Sequence, residues 1–234
     1  MTPLNILVTG TSRGIGAAIM DALADHEAVG HATTASDARI AADLSRVGAA
    51  QALWSEAIER LGGRVDVLVN NAGVFEAAPI EDDHDAWTAA WERTMRINLT
   101  ASAELCRLAV LHFRQNGGGR IVNVASRAAY RGDSPAHWHY AASKAGMVAM
   151  TKSIARGYAR ENILAFAVCP GFVMTGMAEE YLSSRGGEQL LADIPLGRVA
   201  DPEEVARTVA WLASDAPASM TGAVLDLNGA SYVR

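Results

Sequence analysis

Leu4 to Thr9 is a short apolar run that stops at Gly10, and Ala17 to Ala24 behind it has helical character. The alternation repeats down the chain. Strand-like runs fall at Glu27 to Thr33, Ile40 to Asp43, Val65 to Val69, Arg120 to Ala125, Ala165 to Cys169 and Val224 to Leu227. Helical stretches fall at Ala49 to Leu61, from about Asp85 to Gln115 with room for one break, and at Tyr140 to Arg160. Gly62-Gly63, Gly117-Gly118-Gly119 and Pro170-Gly171 punctuate these elements. Asp201-Pro202-Glu203-Glu204 starts a further helix, with a capping Asp, Pro at the first helical position and acids in the first turn. Strands alternating with helices pair in parallel through crossovers. The expectation is an α/β fold: a doubly wound parallel sheet flanked by helices, in a single domain over residues 1–234. The least regular segment, Thr175 to Leu196, follows a strand's carboxyl end, where ligands bind in such sheets, and reads as a substrate lid over about residues 175–196.

Composition narrows the partners. The chain has 234 residues, 50% of them hydrophobic and 20% charged, which suits one sizeable core. Its formal net charge of -6 gives no electrostatic case for coating nucleic acid or an anionic membrane. Cys106 and Cys169 sit in no CxxC pair and beside no His cluster, so neither a structural disulfide nor a metal is expected. Met1-Thr2-Pro3-Leu4-Asn5 lacks the basic start and long apolar run of a signal peptide, and no apolar stretch reaches the length that spans a bilayer. A cytoplasmic protein is expected.

The first strand runs into Thr9-Gly10-Thr11-Ser12-Arg13-Gly14-Ile15-Gly16 and then a helix. Such a turn gives tight reversal, bare backbone for a pyrophosphate and close helix-to-strand packing, as in Rossmann-type folds. The helix N-terminus then presents free N–H groups and partial positive charge to phosphate. The gap after Gly10 is longer than in GxGxxG, and in that wider form the turn resembles the fingerprint of short-chain dehydrogenases/reductases.

Later motifs follow that family's order: Asn70-Asn71-Ala72-Gly73, Asn98 in Arg96-Ile97-Asn98-Leu99, Ser126, Tyr140 and Lys144 in Tyr-Ala-Ala-Ser-Lys, Pro170-Gly171 with Thr175 beyond, and Thr221-Gly222 to Asn228-Gly229. The resemblance covers nearly the whole chain. It implies hydride transfer between a nicotinamide cofactor and a carbonyl/alcohol substrate, with Tyr140 as general acid/base. Lys144, one helical turn on, is expected to favour the phenolate and hold the nicotinamide ribose. Ser126 is expected to hydrogen-bond the substrate oxygen, and Asn98 to hold a water that relays protons to the lysine. On the cofactor side it implies Gly10, Ser12, Arg13, Gly14, Ile15 and Gly16 at the pyrophosphate, and Asp43 and Leu44 at the adenine. Asn70, Ala72 and Gly73 are expected as adenosine-side wall and strand support. Pro170, Gly171, Val173 and Thr175 are expected at the carboxamide and pyrophosphate. Family members are usually dimers or tetramers, so a homotetramer is expected.

An acid ending the second strand marks NAD-preferring members; here Thr34 stands at that point, with Asp37 close by. Thr34 and Ser36 offer hydrogen bonds to a 2′-phosphate and Arg13 offers charge, so NADP(H) is favoured over NAD(H). Arg127, Tyr130, His137, Trp138 and His139 form a polar aromatic rim around Ser126 and Tyr140, and Met174, Met177, Tyr181 and Leu182 suit an apolar lid. The resemblance takes in 3-oxoacyl carrier-protein reductases, sugar dehydrogenases and steroid dehydrogenases without deciding among them, and no strong basic patch marks a site for an acidic carrier protein. Two alternatives stand beside this reading: an NAD-dependent alcohol or sugar dehydrogenase working oxidatively, and an NAD(P)-binding regulatory protein without turnover.

Overall fold

A computed structural model describes residues 2–36, 39–175 and 187–234. The strands are β1 (Asn5–Val8), β2 (Glu27–Ala32), β3 (Arg39–Ala41), β4 (Val67–Asn70), β5 (Gly119–Val124), β6 (Ile163–Pro170) and β7 (Val224–Leu227). The helices among the described residues are α1 (Gly14–Ala22), α2 (Ala49–Arg60), α3 (His84–Met95), α4 (Ala101–Gln115), α5 (Ala128–Arg131), α6 (Trp138–Tyr158), α7 (Gly187–Ala192) and α8 (Pro202–Ser214).

The strands form one seven-stranded sheet in the order β3-β2-β1-β4-β5-β6-β7, and every pairing is parallel. Alternation along each strand splits the core in two. Ile6 and Val8 of β1 face one side, with Ile19 of α1, Leu23 just past its end, and Val205 and Val209 of α8. Leu7 faces the other, with Leu53 and Trp54 of α2 and Leu105 and Phe113 of α4. A sheet covered on both faces explains the near-continuous apolar strands, β6 above all, whose eight residues are all buried.

The strand order reverses between β1 and β4, the place where a doubly wound sheet opens a crevice at its carboxyl edge. The two turns that meet there are Gly10 to Gly16 and Asn70 to Gly73. A first side-chain carbon on Gly10 would lie 2.7 Å from the Ala72 Cα, so only glycine lets the turns close on each other.

Some boundaries differ from expectation. The one break for which the long helical stretch left room is a π-helical turn at Arg96–Thr100, between α3 and α4, and only its place and kind are new. β3 is Arg39–Ala41 and stops before Asp43, because the Asp43 carboxylate turns the chain by accepting from the Ser45 N–H at 3.0 Å and the Ser45 hydroxyl at 2.6 Å. α1 starts at Gly14, earlier than the periodicity implies, and brings Gly14 and Gly16 into its first turn. The start of α8 is as read: Glu204 Oε2 accepts the Asp201 N–H at 2.9 Å. Residues 176–186, most of the expected lid and with it Met177, Tyr181 and Leu182, lie outside the described residues, as does Asp37.

Candidate active site

The Gly10 turn is held from below. The Asn71 amide donates to the carbonyls of Thr9 and Gly10, both at 2.9 Å. The Thr9 hydroxyl accepts the N–H of Asn71 and of Ala72, each at 3.0 Å. Gly16 packs so closely that a side-chain carbon there would sit 1.9 Å from the Gly10 carbonyl oxygen. α1 enters without a side-chain cap on Arg13, so the first-turn amides stay available to an anion. Thr175 arrives from the far side, its Cγ2 3.0 Å from where a Gly14 side chain would begin. Ser12 and Arg13 are exposed at the lip of the turn. Two turns, an open helix end and Thr175 thus converge at one edge of the sheet, with bare backbone at Gly14 and uncapped amides in the first turn of α1, which fits the phosphates of a dinucleotide.

Four predicted residues gather at the carboxyl ends of β4 and β5. Asn98 sits in the π turn, a wider helical ring often tied to function. Its Oδ1 accepts the Val74 N–H at 2.8 Å, and its Nδ2 donates to the Val74 carbonyl at 3.0 Å and to the Ser143 hydroxyl at 3.2 Å. Ser143 in turn donates to the Tyr140 carbonyl at 2.7 Å. Lys144 is buried and donates to the Val124 carbonyl at 2.9 Å; its Nζ lies 5.8 Å from the Tyr140 ring centre. Ser126 follows β5, its Oγ accepts the Ala128 N–H at 3.1 Å, and its side chain hydrogen-bonds Tyr140. A side-chain carbon on Gly73 would fall 3.3 Å from Asn98 Oδ1 and 3.5 Å from Lys144 Nζ. Gly73 therefore keeps the path between these two groups clear.

The electrostatics differ from the expectation at one point. Burial pushes the Tyr140 phenol up to about 12, with the Ser126 hydrogen bond pulling the other way. Lys144 does not bring it down here. Its own desolvation moves it down to about 8, and its ammonium donates one hydrogen bond to the Val124 carbonyl with the phenol ring beside it. At neutral pH the site thus holds a protonated phenol next to a lysine close to its titration point. That combination suits giving a proton to an oxygen.

Other expected residues are placed as follows. Gly171 donates its N–H to the Leu227 carbonyl at 2.9 Å and packs against Asn228, while Pro170 closes β6. Val173 bridges to Ala200 and is buried. Leu44 is buried in the core under α2, and Asn70 is wholly buried, donating to Asn123 Oδ1 at 2.9 Å and Cys106 Sγ at 3.2 Å. These two act as support, and the cleft face falls to Ala72 and Gly73. The Asp43 carboxylate is exposed and engaged by Ser45 and Arg46. Burial pushes Cys106 up to about 12 and Cys169 up to about 11, so both thiols are inert. Thr34 and Ser36 are exposed beyond β2.

The rim divides. Phe75, which the sequence did not flag, stacks on His137 with ring centres 3.9 Å apart and meets Tyr140 edge-on at 4.8 Å. Trp138 is exposed and His139 is buried, its Nε2 without a partner. Arg127 is buried, its guanidinium 4.8 Å over the Phe172 ring, and it shares Asp193 with Arg131. Tyr130 stacks on Tyr232, and Met174 packs with Ile194 and Val199. Sequence reasoning also missed Asn71, His31 and Arg39. Arg39 Nε donates to Ser36 Oγ at 3.0 Å, and only the short β2–β3 connection puts it there.

Residues 10–229 match the family described as Enoyl-(Acyl carrier protein) reductase. A 3-oxoacyl-[acyl-carrier-protein] reductase of Vibrio cholerae is 35% identical over 241 aligned residues, covering 97% of this chain and 96% of the relative. An acetoacetyl-CoA reductase of Rhizobium meliloti is likewise 35% identical, covering 97% of both. The Escherichia coli 3-oxoacyl-[acyl-carrier-protein] reductase is 33% identical over 97% of this chain and 96% of its own.

Proposed function

The chain belongs to the short-chain dehydrogenase/reductase family, and from that premise we propose that it reduces the 3-oxo group of an acyl thioester with NADPH, Tyr140 giving the proton. The protein is a nicotinamide-dependent oxidoreductase acting between C=O and CH–OH groups. The observation that carries the proton-transfer reading is the gathering of Ser126, Tyr140, Lys144 and Asn98 behind Gly73.

The bound cofactor supplies the hydride to the carbonyl carbon. The chain's own residues handle the oxygen. Ser126 donates a hydrogen bond as negative charge grows there, and the Tyr140 hydroxyl transfers its proton to the forming alkoxide. The phenolate left behind takes a proton from the Lys144 ammonium, and the amine that results would regain one from solvent on the side that Asn98 borders. Gly10 to Gly16 with Thr175, Ala72 and Gly73 hold the dinucleotide.

Three features support the choice of cofactor and substrate. Thr34 stands just beyond β2, where NAD-preferring members of the family carry an acid, and the nearest acid in the sequence is Asp37, three residues on. Arg39 brings a cation to that edge through Ser36, and exposed Arg13 at the start of α1 offers a second, suited to a 2′-phosphate. The relatives are named as reductases of 3-oxoacyl and acetoacetyl groups, and Phe75 beside Tyr140 gives an acyl chain an apolar ledge. A test compares NADPH and NADH oxidation on a short 3-oxoacyl-CoA. NADPH is expected to be preferred, and Arg13→Ala to cut that preference roughly tenfold. NADH preference in the wild type, or turnover only with sugars or simple alcohols, overturns the choice.

A homotetramer in the cytoplasm is the assembly that goes with this reading. Among the described residues no helix is long and apolar enough to cross a membrane. Exposed Leu111 on α4 gives the helix pair α4 and α6 an apolar point of association. Light scattering at micromolar concentration is expected to give four times the chain mass; a monomer contradicts it.

A further inference from the structure

His31 lies in β2, one residue before the strand's end, and is only 3% exposed. Its contacts reach both sides of the dinucleotide cradle. Nδ1 accepts the Gly10 N–H at 3.2 Å, and Nε2 faces the Ala42 carbonyl at 2.9 Å. Its carbonyl accepts the Thr11 N–H at 2.8 Å and the Thr11 hydroxyl at 3.3 Å. One residue thus joins the glycine turn to the segment that leads into Asp43 and Leu44.

The partners fix the protonation state. An amide N–H can only donate, so Nδ1 must carry a lone pair. A carbonyl can only accept, so Nε2 must carry the hydrogen. Of the three forms of imidazole, only the neutral Nε2–H tautomer satisfies both. A second proton would set N–H against the Gly10 N–H in a buried place.

We infer that neutral His31 is a positioning residue for the dinucleotide-binding turn, and that protonating it loosens the turn and lowers dinucleotide affinity in acid. The inference rests on the cofactor reading above.

Among the described residues the surroundings offer no charge to rescue a protonated ring. β1, Asn5-Ile6-Leu7-Val8, brings no titratable group, and the turn brings Arg13. β3 brings Arg39, and the loop after it brings Asp43, whose carboxylate is taken by Ser45 and Arg46. α2 brings Glu56 and Arg60, which pair with each other at 2.6 Å, and Glu59. Burial holds the His31 pKa below the usual 6.5, the Ala42 carbonyl only partly offsetting it, and no charged neighbour contributes. The sign follows. Affinity is complete at pH 7 and above, and falls as pH drops through the lowered pKa.

The experiment measures Kd for NADPH and NADH by nicotinamide fluorescence between about pH 5 and pH 8, in the wild type, His31→Asn and His31→Leu. Asn places an oxygen where Nδ1 stands and cannot titrate, so it is expected to bind like the wild type at pH 7.5 and to lose the acid dependence. The wild-type Kd is expected to rise by about tenfold relative to His31→Asn at the acid end. The 2′-phosphate of NADPH titrates identically against both proteins and cancels in that ratio. Leu leaves the Gly10 N–H without an acceptor and is expected to bind roughly tenfold more weakly at every pH. Should Leu not fold, the Asn comparison still decides. Imidazole ¹⁵N shifts give a readout without cofactor: the Nε2–H tautomer is expected at pH 7.5. Parallel wild-type and Asn curves, an unaffected folded Leu variant, or the Nδ1–H tautomer overturn the inference alone. A wild type that binds neither dinucleotide overturns the cofactor reading with it.

Discussion

Gly16→Ala is expected to melt about 6–12 °C below the wild type and to lose most of its dinucleotide affinity. The residue is helical, without a positive φ, so alanine is conformationally welcome; the obstacle is contact. The new carbon would stand 1.9 Å from the Gly10 carbonyl oxygen and 2.7 Å from the Asn71 amide nitrogen. Neither can yield freely. The Gly10 carbonyl is held at 2.9 Å by that same amide, and Gly10 itself abuts Ala72. Relief means moving the whole turn away from β4, an overpacking cost of about 3 kcal/mol, and a chain of this size loses about 2–4 °C per kcal/mol. Gly157 is the matched control. It lies in α6 with nothing within 4 Å of where a side chain would begin, so Gly157→Ala should hold or raise the melting temperature. Calorimetry of the two variants reads the difference; a Gly16→Ala melt within a degree of the wild type removes the close packing from the account.

What the sequence disclosed and what it withheld have separate physical origins. Strands buried on both faces read as apolar runs, so Val65 to Val69 and Ala165 to Cys169 were visible without help, within a few residues of β4 and β6. Tyr140, Lys144 and Ser126 were legible through the family resemblance, because they fall in the order of its motifs; a helical spacing or a strand end alone marks packing pairs and caps as readily. The π turn at Arg96 to Thr100 left no periodic mark, since one wider ring inside a helix barely shifts the apolar register. The electrostatics of Tyr140 were misjudged because spacing reports which groups are neighbours and is silent on desolvation. Burial sets the phenol at about 12 and the lysine at about 8, and it depends on everything packed around them. His31 was invisible for a related reason. A single histidine in an apolar strand carries no signal until the fold shows that Gly10 and Ala42 lie at its two nitrogens. Phe75 and Arg39 belong to the same class, placed by loop paths that no period encodes.

Tyr140→Phe carries the largest functional effect. The exchange removes one oxygen. The ring's edge contact with Phe75 at 4.8 Å remains, and the chain's hold on Lys144 through Val124 does not involve it. The fold and the dinucleotide cradle should therefore survive, because Gly10 to Gly16 touch the glycine turn's own partners and not the phenol. What is lost is the proton donor at the forming alkoxide, a term of about 10²–10⁴ in rate. Burial also favours the protonated phenol across the neutral range, so the wild type has its donor in place through pH 7.

The decisive measurement is the single-turnover rate of NADPH oxidation by Tyr140→Phe against the wild type at pH 7, with NADPH Kd determined on the same samples. A rate lowered about a thousandfold at an unchanged Kd is the predicted result. A variant that keeps the wild-type rate, or one whose loss is wholly explained by weaker NADPH binding, would mean that the proton comes from another group.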